Sequence, residues 1–251
     1  MRNLFFLIII PVLWSCNISK NESFITIAAA ANVRYPIEEI INEFERNNQT
    51  KVKFIIASSG KLTSQIVEGA PFDVFISADT RYPEALLQMN LTIGKPEIYA
   101  RGILVLWSLN KDLNLSGKLD VLNDNIIKKI AIPNPDFAPY GLAAEEALKK
   151  SNIYDQVKRK LVYGQNISQT SQYIITQAAD VGFTAKSVVL SETMKEYSNW
   201  IEIDHNLYSS IRQAAVLINR EKLNPEAKMF YEFLFSEECQ KIFQKYGYML
   251  P

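Results

Sequence analysis

The chain has 251 residues, 48% of them apolar, with 27 basic and 27 acidic side chains. That length and composition suit one large globular domain or two lobes. The zero net charge, with Lys and Arg dispersed along the chain, argues against a dedicated nucleic-acid binder, because phosphate contacts need clustered cations.

Residues 1–15 read as a leader. Arg2 supplies a positive start, and residues 4–13 form an apolar run too short to span a bilayer. Leu13-Trp14-Ser15-Cys16 resembles a bacterial lipobox, which implies cleavage before Cys16 and lipidation of its thiol. The alternative is a plain signal peptide with a chance cysteine. Residues 16–23 then form a polar tether.

Strand and helix patterns alternate from there. Residues 24–27 predict a strand, and Ile37, Ile40, Ile41 and Phe44 predict the helix after it, with Pro36 in its first turn. Residues 52–56 predict a second strand, and Leu62 and Ile66 mark the next helix. Gly69-Ala70-Pro71 turns the chain and Asp73 precedes the strand Val74-Phe75-Ile76. Ser77 or Asp79 can cap the helix carrying Leu86 and Leu87. Residues 103–107 read as a buried strand, followed by an Asn-rich stretch over 110–125.

A second series starts at Ile130-Ala131-Ile132, with a helix over 142–148, a strand over 160–163, a helix over 174–179 and a strand at Val181-Gly182-Phe183. Residues 214–218 are again an apolar strand. The end is helical, with Met229, Phe230, Phe233 and Leu234 on one face, then Ile242 and Phe243. Cys239, on that helical end, reads as a buried and inert thiol. His205 is the only histidine, which excludes a common His-rich zinc site.

This order predicts two α/β lobes: residues 24–104 with 205–251, and residues 105–204 inserted between them. The runs at 103–107 and 214–218 would be the crossing strands. Such a hinge gives a cleft that closes on a ligand.

Four strand-to-helix loops could carry the chemistry: Ala31-Asn32, Ser58-Ser59-Gly60, the stretch over 135–141 containing Asp136 and Tyr140, and Gln165-Asn166-Ile167-Ser168. Ligands of open α/β sheets sit beyond the carboxyl ends of strands, where such loops lie. Singly, each is an ordinary cap or turn, and Asp136 reads as a turn residue. Together they could present helix N-termini and N–H groups to one oxyanion. A charge-assisted hydrogen bond contributes roughly 1.5–3 kcal/mol net. Micromolar to nanomolar binding needs about 8–12 kcal/mol, so on the order of five to seven neutral donors would suffice without Arg or Lys.

These residues resemble the periplasmic molybdate-binding proteins of bacterial molybdate ABC transporters. Ile25 to Asn32 looks like the family's opening strand and first ligand loop, and Ala57-Ser58-Ser59-Gly60-Lys61-Leu62 like its second. Glu68-Gly69-Ala70-Pro71-Phe72-Asp73-Val74-Phe75-Ile76-Ser77-Ala78-Asp79 is close to its most recognisable run. The stretch from Ile132-Pro133-Asn134-Pro135 to Ala138-Pro139-Tyr140-Gly141 resembles the third ligand segment, Glu145-Glu146-Ala147-Leu148 its helix, and residues 235–248 the family's C-terminal end.

The resemblance implies a two-lobed periplasmic-binding-protein fold (type II) with mixed, mostly parallel sheets. It implies an oxyanion site at Ala31, Asn32, Ser59, Tyr140 and Ile167, with Asn32 and Ser59 giving side-chain and backbone donors, Tyr140 its N–H and hydroxyl, and Ile167 an N–H. Many members have Ser in place of Asn32 and a ligand Tyr in place of Ala185, so the Tyr140 hydroxyl would replace that missing one.

The expected ligand is molybdate or tungstate, with no cofactor, no free metal cation and no catalysis. The expected partners are a membrane permease and its ATPase, and the expected location is extracytoplasmic, on a lipid anchor at Cys16. Three rivals stand beside this reading. The same fold could bind sulfate, which a ligand panel discriminates. A hydrolase would need a base beside a nucleophilic Ser, yet no Gly-x-Ser-x-Gly elbow occurs. A sensor-only lipoprotein would lack permease genes beside its own.

Overall fold

A computed structural model describes residues 24–115, 118–195, 199–221 and 223–251; the leader, Cys16 and the tether lie outside them. In chain order the first half reads β1 (Phe24–Ala30), a 3-10 turn (Ala31–Val33), α1 (Arg34–Asn47), β2 (Lys51–Ala57), α2 (Ser59–Val67), β3 (Val74–Ile76), α3 (Arg81–Gln88), β4 (Thr92–Gly102) and β5 (Leu104–Ser108). Then come β6 (Ile130–Pro133), α4 (Pro139–Lys150), α5 (Tyr154–Val157), β7 (Leu161–Gly164), α6 (Ile167–Ile175), β8 (Val181–Ala185), α7 (Lys186–Val189) and β9 (Asn199–Glu202). The chain closes with β10 (Ile211–Ile218), α8 (Pro225–Phe233) and α9 (Glu237–Lys245).

The strands form two five-stranded sheets, β2-β1-β3-β10-β4 and β7-β6-β8-β5-β9. Each combines two parallel pairings with two antiparallel ones: β1 runs parallel to β2 and β3, and β6 parallel to β7 and β8, while β10 and β5 run antiparallel to their neighbours. The parallel strands are those followed by helices, as a crossover connection requires.

The chain leaves the first sheet at Gly102 and enters the second at Leu104. It returns between Glu202 and Ile211. The crossings therefore do not run through the two apolar strands at 103–107 and 214–218. β5 lies wholly in the second sheet and β10 wholly in the first. Both are buried strands next to the sheet edge, which is why their residues read as unbroken apolar runs.

α1 buries Pro36, Ile37, Ile40, Ile41 and Phe44, the face its spacing predicts. That face meets the C-terminal helices, with the Phe44 and Phe230 rings 5.1 Å apart. Burying a side chain such as Phe44 stabilises the fold by about 1.5–3 kcal/mol. The C-terminal segment thus belongs to the first lobe.

Four local expectations change. Met229 is 48% exposed and points away from the buried Phe230, because α8 turns it to solvent. α6 stops at Ile175, and Gln177 takes a left-handed φ of 57° that ends the predicted helix over 174–179 early. β4 and β9 have no forerunner in the sequence pattern. Gly94 and Pro96 make β4 look like a turn, yet it is an edge strand where proline is tolerated.

Candidate oxyanion site

The two lobes meet tightly over a small cavity of about 10 Å³. It lies at the carboxyl ends of β1, β2, β3, β6 and β7, where four helical N-termini converge. The first lobe contributes Ala30, Ala31 and Asn32 at the 3-10 turn, Ser58 and Ser59 at α2, and Ala78 after β3. The second contributes Ala138, Pro139 and Tyr140 at α4, and Asn166 and Ile167 at α6. No lining residue is charged. Wider hollows, of about 390, 520, 430 and 380 Å³, lie elsewhere on the surface, and none gathers more than one helix N-terminus.

All five residues singled out in the sequence, Ala31, Asn32, Ser59, Tyr140 and Ile167, line this one cavity. Ala30 and Ala78 join them, and their small side chains let the backbone approach. Asp136 is exposed and outside the lining; its N–H bonds Asn134 Oδ1 at 2.9 Å in a local turn. Ala185 ends β8 at 0% exposure and is not part of the wall.

No side-chain cap takes the first N–H groups of three of these turns. Ala30, Ser58 and Ala138 make no side-chain capping bond. At α4, Pro139 has no N–H and Gly141 N–H turns back to the Ala138 carbonyl at 2.8 Å, so Tyr140 supplies the first N–H of that helix. At α6, Asn166 caps Gln169 N–H at 3.0 Å and leaves Ile167 at the wall. Ser59 Oγ accepts the Ala78 N–H at 3.0 Å, which leaves its hydroxyl hydrogen for the cavity. Unclaimed N–H groups and aligned dipoles favour an anion at this point.

Asn32 differs from the expectation. Its side-chain amide donates to Gln213 Oε1 at 2.7 Å and to Tyr248 Oη at 3.0 Å, so both amide hydrogens turn inward. Its carbonyl accepts from Ser187 Oγ at 2.7 Å and Tyr248 Oη at 2.8 Å. What Asn32 can offer a ligand is its backbone N–H. The polar cluster beneath the cavity, built on Gln213, Tyr99 and Tyr248, has no motif of its own; the one trace is a polar residue preceding the apolar run 214–218.

Bonds cross from lobe to lobe at both ends of the cleft. At the floor, Gln213 Nε2 donates to Tyr140 Oη at 3.1 Å and Ser187 Oγ to the Asn32 carbonyl. At the mouth, Gly60 N–H donates to the Phe137 carbonyl at 3.0 Å and Tyr82 Oη to the Asp136 carbonyl at 3.1 Å. Gly60 must be glycine for this, because a Cβ there would lie 2.7 Å from Tyr82 Oη and 3.1 Å from Phe137 Cα.

Burial pushes the phenols of Tyr99, Tyr140 and Tyr248 well above their ordinary range, so they stay neutral donors. Cys239 is fully buried, and burial pushes its thiol up to about 12. Among the described residues, no group of three or more His, Cys, Asp or Glu side chains could hold a metal ion.

Two α/β lobes closing on an uncharged, donor-lined cavity define a solute-binding protein of the two-lobed periplasmic type. The sequence model for bacterial extracellular solute-binding proteins matches residues 25–249, and the chain belongs to that family. It is an extracytoplasmic binding protein, not an enzyme.

The chain is 36% identical to the molybdate-binding protein ModA of Azotobacter vinelandii over 90% of each chain. It is 30% identical to the putative ABC transporter substrate-binding lipoprotein YvgL of Bacillus subtilis, over 92% of this chain and 88% of that one. The solved periplasmic molybdate-binding protein of Azotobacter vinelandii superposes with a TM-score of 0.86 at 30% identity, covering 90% of this chain and 99% of that one.

Proposed function

We propose that the chain captures molybdate, and tungstate alike, between its lobes and passes it to a membrane permease driven by an ATPase. The observation that carries this reading is the cavity itself. Four helical N-termini and the Ser59 hydroxyl aim donors at one point, and no cation or carboxylate lines it. A fully ionised tetrahedral dianion matches such a wall. Monohydrogen phosphate carries a proton that needs an acceptor, and a donor-only wall lacks one. The relatives named for molybdate support the ligand.

Ala31, Asn32, Tyr140 and Ile167 act through backbone N–H groups, Ser59 through N–H and hydroxyl, and Tyr140 through its hydroxyl as well. Residues 24–102 with 211–251 move as one lobe and 104–202 as the other, so the sequence boundary at 104/105 shifts to place all of β5 in the second lobe. A lipid on Cys16 holds the protein at the membrane, in keeping with the lipobox and with a relative named as a lipoprotein. The test is calorimetry of the full chain, solubilised in detergent, against molybdate, tungstate, sulfate and phosphate. Tight binding of molybdate and tungstate with weak sulfate and phosphate is expected. Sulfate bound as tightly as molybdate would overturn the ligand assignment.

A further inference from the structure

We propose that the outer end of the first lobe, around Phe24 and Ile55, is a lipid-contacting face that rests on the surface of the membrane holding the anchor. This inference rests on the reading of Cys16 as the anchored residue.

β1 and β2 run parallel, with Phe24 level with Lys51, Thr26 with Lys53 and Ala28 with Ile55. Paired residues share a face of the sheet, and so do residues two apart on one strand. Phe24, Lys53 and Ile55 therefore stand on the same side. α2 covers that side only in part. Ala28 is buried with Leu62 and Ile66, while Phe24 is 49% and Ile55 47% exposed. Lys53 Nζ lies 3.6 Å from the centre of the Phe24 ring, which holds a cation at the same surface.

Two hollows open on this end of the lobe. One, of about 520 Å³, is lined by Phe24, Thr26, Pro71, Arg220 and Leu223; the other, of about 430 Å³, by Ile55, Gln65 and Phe72. They adjoin through the consecutive residues 70–72. Phe24, Ile55 and Leu223 are the apolar tips of the patch, and Lys53 and Arg220 its cations. Arg220 is tied to the buried Asp73 at 2.7 Å, and Glu68 is the other carboxylate lining either hollow. Apolar tips beside Lys and Arg stems suit the headgroup boundary, where the tips meet acyl chains and the cations reach phosphates.

The tether decides what covers this face. Residues 16–23 end at Phe24, inside the patch. Fully extended, they reach at most about 29 Å. A compact body of this length has a radius of gyration of about 17 Å and is roughly 45 Å across. A lipid on Cys16 therefore cannot reach the membrane with Phe24 on the far side of the molecule. The patch is kept beside the bilayer at high effective concentration. The cavity lies at the opposite ends of the same strands, so lipid contact here leaves the cleft mouth free.

The experiment reads contact with acyl chains by tryptophan quenching. The anchored full chain is reconstituted in vesicles of phosphatidylcholine and phosphatidylglycerol, with or without bromine on the acyl chains. Phe24→Trp, Ile55→Trp and Tyr163→Trp each add one indole to the parent, whose own emission is subtracted. Tyr163 is the control, exposed on β7 of the second lobe. Side chains of an interfacial face sit about 5–10 Å into the headgroup boundary, so brominated lipid should cut the added emission of Phe24→Trp and Ile55→Trp by about twofold or more and leave Tyr163→Trp unchanged. Ile55→Trp is decisive, because Phe24 adjoins the tether and Ile55 lies on another strand. No quenching at Ile55→Trp on vesicles that carry the protein, or equal quenching at Tyr163→Trp, would overturn the inference. A blue shift of Ile55→Trp that grows with protein concentration in lipid-free detergent would do the same and assign the face to a second copy.

Co-sedimentation with the vesicles tests the anchor separately. If the chain does not sediment, the anchor assignment falls, and the same variants are coupled to a maleimide phospholipid through Cys16. Cys239 stays silent in that coupling, because it is fully buried and its thiol is pushed up to about 12. The quenching pattern then decides in the same way.

Discussion

Ser59→Ala removes one oxygen that serves two purposes, and the two can be measured apart. Ser59 is fully buried, and its Oγ accepts the Ala78 N–H at 3.0 Å. Without it that N–H is stranded, which costs about 1–3 kcal/mol of stability whether or not ligand is present. The hydroxyl hydrogen is not used in that bond and is the group offered to the oxyanion. A hydrogen bond to a charged acceptor contributes about 1.5–3 kcal/mol net. Its loss should weaken binding by about tenfold to 150-fold. A thermal melt without ligand reads the first loss. Calorimetric titration with molybdate, well below the melting transition, reads the second. The ligand-induced rise in melting temperature at fixed molybdate should shrink as well, because that rise follows the ratio of ligand concentration to Kd. A variant that melts lower yet binds molybdate as tightly as the parent would refute the reasoning: Ser59 would then only tie α2 to the segment after β3.

Asn32→Ala keeps the backbone N–H but removes the amide that holds Gln213 and Tyr248, so calorimetry should show a loss of about tenfold or more through misplacement of that loop. Tyr82→Phe deletes a bond across the cleft mouth, and stopped-flow should show release faster by about twofold to tenfold with association nearly unchanged. The phenols beneath the cavity are pushed up by burial, so the folded form keeps protons that the unfolded chain gives up. Stability from them is complete below about pH 10 and falls as pH rises beyond it, and binding should be flat from about pH 6 to 8; a titration series across that range that changes affinity tenfold would refute this. Cys16→Ser should shift the protein from the membrane to the soluble fraction or leave it unprocessed, as fractionation would show.

The local chemistry of this chain was sufficient to place its strand-to-helix turns. Apolar spacing at Ile37, Ile40, Ile41 and Phe44 marks a helix wherever it packs, and Asn166 marks the start of α6 because capping is a contact between near neighbours in sequence. Other features depend on neighbours far along the chain. β4 is a strand despite Gly94 and Pro96 because β10 pairs with one side of it and its other side is an edge. Met229 faces solvent because α8 packs through Phe230.

The direction of the donors depends most on distant partners. Asn32 gives its amide to Gln213 and Tyr248, which lie 181 and 216 residues away, and Gln213 in turn meets Tyr140 from the other lobe. A sequence pattern names the groups that can donate. Only the meeting of distant segments in a dry interior, where every polar group must be paired, decides which hydrogens turn inward to hold the lobes and which remain for a ligand.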